Sequence, residues 1–352
     1  MTDAVGFAIV GCGVIGRSHA RFLQDVPGAR LIAVADVIPE RARDLAEAFG
    51  CDWYSSTEEL LKRDDVEVVD VCTISGLHAD VAIPALEAGK HVIVEKPLEI
   101  TVERCNEIIA AAEKAGRKLA TVYQYRFEAP YRKMRAAVQE GKLGRVVLAD
   151  MHMKAYRSQA YFDAGGWRGT WKYDGGGALM NQGIHFVDQL QWIMGGVAAV
   201  KAYSDHLVHR IETEDTAVAA VRFRNGAFGV IEATTAAFPG LWNRLEFTGD
   251  RGSIVLENGQ FRVMYWAEGE EELEVGHYGR RLDLSAEPSR DIDIGPWPEG
   301  VPGHVLQLRD MVEAVREDRP PFVDGYAGRE AVAIIRAIYE SAQTGEEVVI
   351  EF

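Results

Sequence analysis

Gly11, Gly13 and Gly16 stand in the run Gly11-Cys12-Gly13-Val14-Ile15-Gly16 directly behind the apolar segment FAIV, and Asp36 follows twenty residues beyond Gly16. Glycines so spaced allow a tight turn, a close approach of backbone to an anion, and close packing of the next helix, whose N-terminus attracts negative charge. Asp36, at the end of the next strand, is placed to accept from ribose hydroxyls. Strand, turn, helix and acid in this order predict a dinucleotide site, with Val14 and Ile15 opening the helix beside it. Asp36 repels a 2′-phosphate and no arginine follows it immediately, which favours NAD over NADP; Arg41 is the nearby side chain that would admit the second. Lys96 follows the apolar run HVIVE, and Pro97 keeps it out of helical geometry, so a cation is aimed from a strand end, where doubly wound folds bind ligands. Asn181 and His185 lie four apart at the start of an otherwise apolar helical segment and are expected to share one face, turned to a cavity. Tyr156-Arg157-Ser158-Gln159 and Gly166-Trp167-Arg168-Gly169-Thr170-Trp171 offer forked donors for hydroxyls or phosphate and flat faces for a sugar or nicotinamide, although core tryptophans are the plainer reading.

These groups need a scaffold, and 352 residues can bury a sizeable core in about two domains. A composition of 47% hydrophobic and 26% charged residues is ordinary for a folded protein, so no disordered tract is expected. The net charge of -16 disfavours nucleic acid phosphates and anionic membrane surfaces as partners, and no stretch approaches the ~20 apolar residues of a membrane span. The start MTDAVGFAIVGCG has no basic stretch and reads as a first strand rather than a signal peptide. Cys12, Cys51, Cys72 and Cys105 have no C-x-x-C spacing, so neither a disulfide framework nor a metal site is expected, and a reducing cytoplasm is the expected setting.

Through residue 122, the runs GFAIV, LIAVAD, VEVVDVC, HVIVEK and KLATVY alternate with helical patterns, which predicts a parallel sheet covered on both faces. From 123 to 352 a second domain is expected, with longer strands and Asn-Gly and Gly-Asp turns forming a mostly antiparallel sheet. One helix is expected at about 178–194 and two more between His304 and Thr344, while 268–303 reads as an exposed hairpin and a long loop.

Three further segments, Cys72-Thr73-Ile74-Ser75-Gly76-Leu77-His78, Glu95-Lys96-Pro97 and Gly175-Gly176-Gly177-Ala178-Leu179-Met180-Asn181-Gln182-Gly183-Ile184-His185, join the glycine run. Together they resemble the glucose-fructose oxidoreductase and inositol dehydrogenase family (Gfo/Idh/MocA) over essentially the whole chain. The resemblance implies an α/β protein: an N-terminal Rossmann domain, a C-terminal α/β domain with a large open sheet, a sugar-like substrate between them, and a homodimer or homotetramer built on that sheet. It implies Lys96, His185 and Asn181 as the catalytic group and a cis bond before Pro97. Thr73, Ile74, His78, Glu95, Lys96 and Gln124 are implied along the nicotinamide half of the groove, Ile74 standing where the family usually has proline. Trp167 and Arg168 are implied on the cofactor side of the cleft, and Arg126, Tyr156, Arg157, Asn181 and His185 on the substrate side. For Tyr125 and Phe127 an anchor between the domains is an equal reading.

Oxidising a secondary alcohol needs a base for the hydroxyl proton and a cation near the developing alkoxide. His185 is assigned as the acceptor and Lys96 as the charge, with an exchange of roles left open. The inositol branch has aspartate at the position of Asn181, where a neutral amide cannot raise a histidine pKa by charge. The NQGIH form resembles instead the branch oxidising the C3 hydroxyl of hexoses and nucleotide-linked sugars. An inositol-type polyol dehydrogenase, an NAD-dependent glycosidase working by transient oxidation, and a non-catalytic dinucleotide sensor are the alternatives. Asp188, one turn after His185, either braces its ring or is solvated.

Overall fold

The computed structural model describes residues 4–267, 269 and 292–351. Six parallel strands, β1 (Val5–Val10), β2 (Ala29–Ala35), β3 (Asp52–Tyr54), β4 (Val68–Val71), β5 (His91–Val94) and β6 (Leu119–Thr121), lie in the order β3-β2-β1-β4-β5-β6. Every residue of β1 and β4 is buried, because helices α1 (Val14–Gln24), α2 (Pro39–Phe49), α3 (Thr57–Leu61), α4 (His78–Glu87) and α5 (Val102–Ala115) cover the sheet. The strand order reverses between β1 and β4, so the carboxyl ends of these two strands open a crevice where Gly11 and Thr73 lie. The expected parallel sheet is present, with the short DWY strand β3 added at its edge; three residues carry too little apolar pattern to be read as a strand.

The second sheet has eight strands in the order β13-β12-β11-β7-β10-β9-β8-β14. They are β7 (Val146–Lys154), β8 (Val197–Asp205), β9 (Thr216–Phe223), β10 (Phe228–Thr234), β11 (Asn243–Gly249), β12 (Gly252–Glu257), β13 (Gln260–Trp266) and β14 (Val348–Val349). All neighbours are antiparallel except β7 and β10. Helices α6 (Ala129–Gln139), α7 (Gln159–Asp163), α8 (Ile184–Met194) and α10 (Gly325–Thr344) complete this half, with α9 (Gly303–Arg316) between α8 and α10 in sequence. Along β9 the burial alternates: Ala217, Ala219, Val221 and Phe223 share a core with Val187 and Leu190 of α8 and Ile334 and Ile338 of α10.

Helix α9 lies beyond the 122/123 boundary yet returns to the first sheet, where Val305, Leu308, Met311 and Val312 pack with Phe7, Ile9 and Leu23. The hairpin expected from residue 268 falls, apart from Gly269, outside the described residues. Residues 292–302 run without regular structure, fixed by Arg132, which donates to the Ile294 and Trp297 carbonyls at 2.8 Å.

Candidate active site

Gly11 leaves β1 at φ +101°, and a β-carbon there would stand 2.5 Å from the Cys72 carbonyl oxygen, so the turn admits only glycine. A β-carbon on Gly16 would come 2.0 Å from the Gly11 carbonyl oxygen; its absence lets α1 lie on the end of β1. Around Gly13, which precedes α1, nothing lies within 4 Å of a β-carbon position, and no side chain caps the helix. Open space therefore faces the first N–H groups of α1, and Val14 beside it is 86% exposed while Ile15 packs on the core. Asp36 turns back toward this space, Oδ2 accepting from the Cys12 N–H at 2.7 Å and Oδ1 from the Ile38 N–H at 2.8 Å. Arg41 is exposed on the first turn of α2.

Further along the crevice the buried Thr73 Oγ1 and Gln124 Oε1 have no hydrogen-bond partner among the described residues. An open cradle at a helix N-terminus, a carboxylate beyond it and unpaired polar atoms at the strand ends are the donor set that NAD requires, so the residues fit this group. Ile74 keeps the loop in place of proline because its own backbone is extended, at φ -71° and ψ 140°.

Two expected groove residues also hold neighbouring segments together. His78 is fully buried, with Nδ1 2.8 Å from the Pro97 carbonyl and Nε2 3.3 Å from the Thr73 carbonyl, so it ties these two loops together. Glu95 is buried as well: Oε1 accepts from His19 Nε2 at 3.0 Å and Oε2 from the Lys96 N–H at 3.1 Å. The other ring nitrogen of His19 meets Asp70 Oδ2 at 2.7 Å. Burial would strip the His19 proton, but Asp70 outweighs it and raises the pKa well above the usual value. Burial alone would likewise raise Glu95; the hydrogen bond and charge of His19, with Lys96, bring it down to about 2. An imidazolium between two carboxylates thus joins α1 of the glycine turn to the Lys96 strand end. Sequence reasoning does not reach His19 or Asp70; the signal was His19 three residues after Gly16, on the helix face that packs on the sheet.

Lys96 follows β5, and its bond to Pro97 is cis, as the resemblance implied. Its Nζ donates to the Asn181 backbone carbonyl at 2.6 Å. Asn181 lies in a π turn, Ala178–Gly183, that precedes α8, so the four-residue spacing to His185 does not place both side chains on one α-helical face. The Asn181 amide instead donates to Asp174 Oδ1 at 2.8 Å. His185 opens α8 and packs against Tyr125, ring centroids 5.3 Å apart, and edge-on to Tyr123. Its Nδ1 is buried with no partner among the described residues. Burial, aided by the Lys96 charge, pushes its pKa down to about 3, so the ring is neutral at neutral pH.

Arg126, expected at the substrate, is 4% exposed and gripped by Asp188, with contacts of 2.5, 2.9 and 3.2 Å, and it lies over the Trp192 ring. Asp188 is therefore neither a brace for His185 nor solvated; two buried opposite charges satisfy one another. Phe127 anchors Trp297 and Phe322 edge-on. Around the cleft loop, Arg157 and Arg168 both lie over Tyr161, whose hydroxyl accepts from Gln182 Nε2 at 3.0 Å, next to Asn181. Arg168 also covers Trp167, and Tyr156 packs edge-on to Phe238. Tyr161 and Asp174 escape a reading of motifs because only the folded loops bring them to Gln182 and Asn181.

Residues 5–123 match the model of the oxidoreductase family NAD-binding Rossmann fold, and residues 135–350 that of the oxidoreductase family C-terminal alpha/beta domain. The chain is 28% identical to the myo-inositol 2-dehydrogenase of Thermotoga maritima, covering 97% of this chain and 98% of that one. With the levoglucosan dehydrogenase of Pseudarthrobacter phenanthrenivorans it shares 27% identity over 95% of each. The crystal structure of the WlbA dehydrogenase of Bordetella pertussis, in complex with NADH and UDP-GlcNAcA, is similar at a TM-score of 0.86, with 31% identity over 99% of both chains. A glycine turn built for a dinucleotide and a match across both domains together establish that the chain belongs to the Gfo/Idh/MocA oxidoreductase family.

Proposed function

We propose that the protein oxidises the C3 hydroxyl of a pyranose carried on a nucleotide, with NAD taking the hydride. The observation that carries this reading is a neutral histidine with an unpartnered nitrogen near the ammonium of the lysine that follows β5. Gly11, Gly13, Gly16 and Asp36 would hold the cofactor, whose nicotinamide supplies the hydride acceptor when bound. His185 accepts the hydroxyl proton at Nδ1, which is buried with no other partner among the described residues. Lys96, held by the Asn181 carbonyl, offers its ammonium to the oxygen as charge develops there. Similarity to a dehydrogenase crystallised with UDP-GlcNAcA supports a nucleotide sugar, and Arg157 and Arg168 supply donors suited to a diphosphate.

The test is an NAD reduction screen across nucleotide sugars, free hexoses, glycosides and inositols, with mass spectrometry locating the new carbonyl. Turnover of a nucleotide sugar with the carbonyl at C3 is expected. Turnover of inositols alone defeats the substrate reading, and bond cleavage without NADH accumulation points to a glycosidase.

A further inference from the structure

Asn181 is neutral, yet a carboxylate stands directly behind it. Asp174, 1% exposed on the loop before the π turn, accepts from Asn181 Nδ2 through Oδ1 at 2.8 Å and from the Gly169 N–H through Oδ2 at 2.8 Å. The carbonyl of the same Asn181 accepts from Lys96 Nζ at 2.6 Å. Carboxylate, amide and ammonium thus form one chain of contacts, in which the anion is bonded by an amide and a backbone N–H rather than by a cation.

The charges around this chain single out Asp174. Lys96 faces Glu95 beside it, Asp174 from the loop, His185 from α8, His78 from α4 and His304 from α9. Of the two carboxylates, Glu95 is already balanced by the His19 imidazolium. Asp174 faces Lys96 and Arg168, and Tyr339 approaches from α10. Burial lowers the Lys96 pKa, with Glu95 and Asp174 opposing it. Burial also raises Asp174 to about 6, against the pull of Gly169, Asn181, Lys96 and Arg168.

We propose, resting on the dehydrogenase reading above, that Asp174 is a positioning residue for Lys96: its carboxylate fixes Asn181 so that the carbonyl holds the ammonium, and its charge retains the ammonium proton. A protonated Lys96 is what the developing alkoxide requires, so the neutral Asn181 transmits a charge it does not carry.

Competitive acetylation of Lys96 in the substrate-free protein, read by mass spectrometry across pH, follows this amine without turnover. Asp174→Asn is expected to lower the Lys96 titration by about one unit, and Asn181→Leu, which cuts the amide link to the carboxylate, to lower it as well. The alkaline limb of kcat should move the same way in each variant, with NADH affinity unchanged. A Lys96 titration that is the same in Asp174→Asn as in wild type overturns the proposal. So does one left in place by Asn181→Leu, which decides the matter if Asp174→Asn fails to fold. If Lys96 titrates as expected but no sugar reduces NAD, the dehydrogenase reading falls and the charge coupling stands.

Discussion

The proposed mechanism places opposite demands on His185 and Lys96: the ring must be empty of a proton and the amine must hold one. Burial empties the ring, and the nearby ammonium makes re-protonation harder still. Histidine NMR is therefore expected to show His185 neutral from pH 8 down to pH 5; a titration near the usual value of 6.5 would contradict the site as described. His185→Ala and Lys96→Ala should each lower kcat about 100-fold or more while NADH still binds, measured by steady-state kinetics and NADH fluorescence. Near-normal turnover in either variant would remove that residue from the mechanism. In the proposed function Asp36 sets the cofactor choice, and it also holds the glycine turn through the Cys12 N–H. Asp36→Ala should weaken NAD binding more than NADP binding, so the ratio of the two affinities is the measurement.

The helix at 178–194 has the period of an α-helix, but its first turn is a π turn held from outside. Glu214 accepts from the Gly177 and Leu179 N–H groups and from the Tyr339 hydroxyl, each at 2.8 Å. A β-carbon on Gly177 would stand 1.9 Å from the Glu214 carbonyl oxygen, which explains a glycine there. Burial raises Glu214 from its usual 4.5 to about 7, against these three donors. The folded state therefore holds this proton more tightly than the unfolded one. Stability from Glu214 is complete below pH 4.5 and is lost as pH rises through 7. Glu214→Gln should flatten that fall, seen as the difference in Tm between variant and wild type across pH 5 to 8; parallel curves would refute it. Asp188→Asn leaves the Arg126 guanidinium buried without its anion and should cost about 3–5 kcal/mol in urea unfolding. The period of residues 178–194 announced a helix; it could not announce the wider turn, because periodicity reports burial and not which carbonyl is turned outward.

Among the described residues, the second sheet is covered by helices on one face only. Paired positions on the other face expose Tyr203, Val218, Phe228 and Leu148, among the charged Glu232, Asp150 and Lys154. We propose that a second copy covers this face, as the family resemblance suggested. Val218→Glu combined with Phe228→Glu should then yield monomers by light scattering, and a wild-type protein found monomeric at working concentrations would sink the proposal. No described helix is long and apolar enough to cross a membrane. The return of α9 to the first sheet means that neither half is closed by its own contiguous chain, a consequence of distance in sequence that no local pattern carries.

What residue types and spacing determined by themselves was the dinucleotide turn, the parallel sheet that presents it, and the mostly antiparallel sheet that follows. These are local matters of glycine sterics, strand period and helix ends. Only the tertiary structure decided how the charges are shared. His78 and Glu95 are spent on loops and on His19, and Arg126 is spent on Asp188. Asp174, in an unremarked loop, stands behind Asn181. The reason is that a charge's role depends on the partners and the dielectric around it, and both are set by segments tens of residues apart.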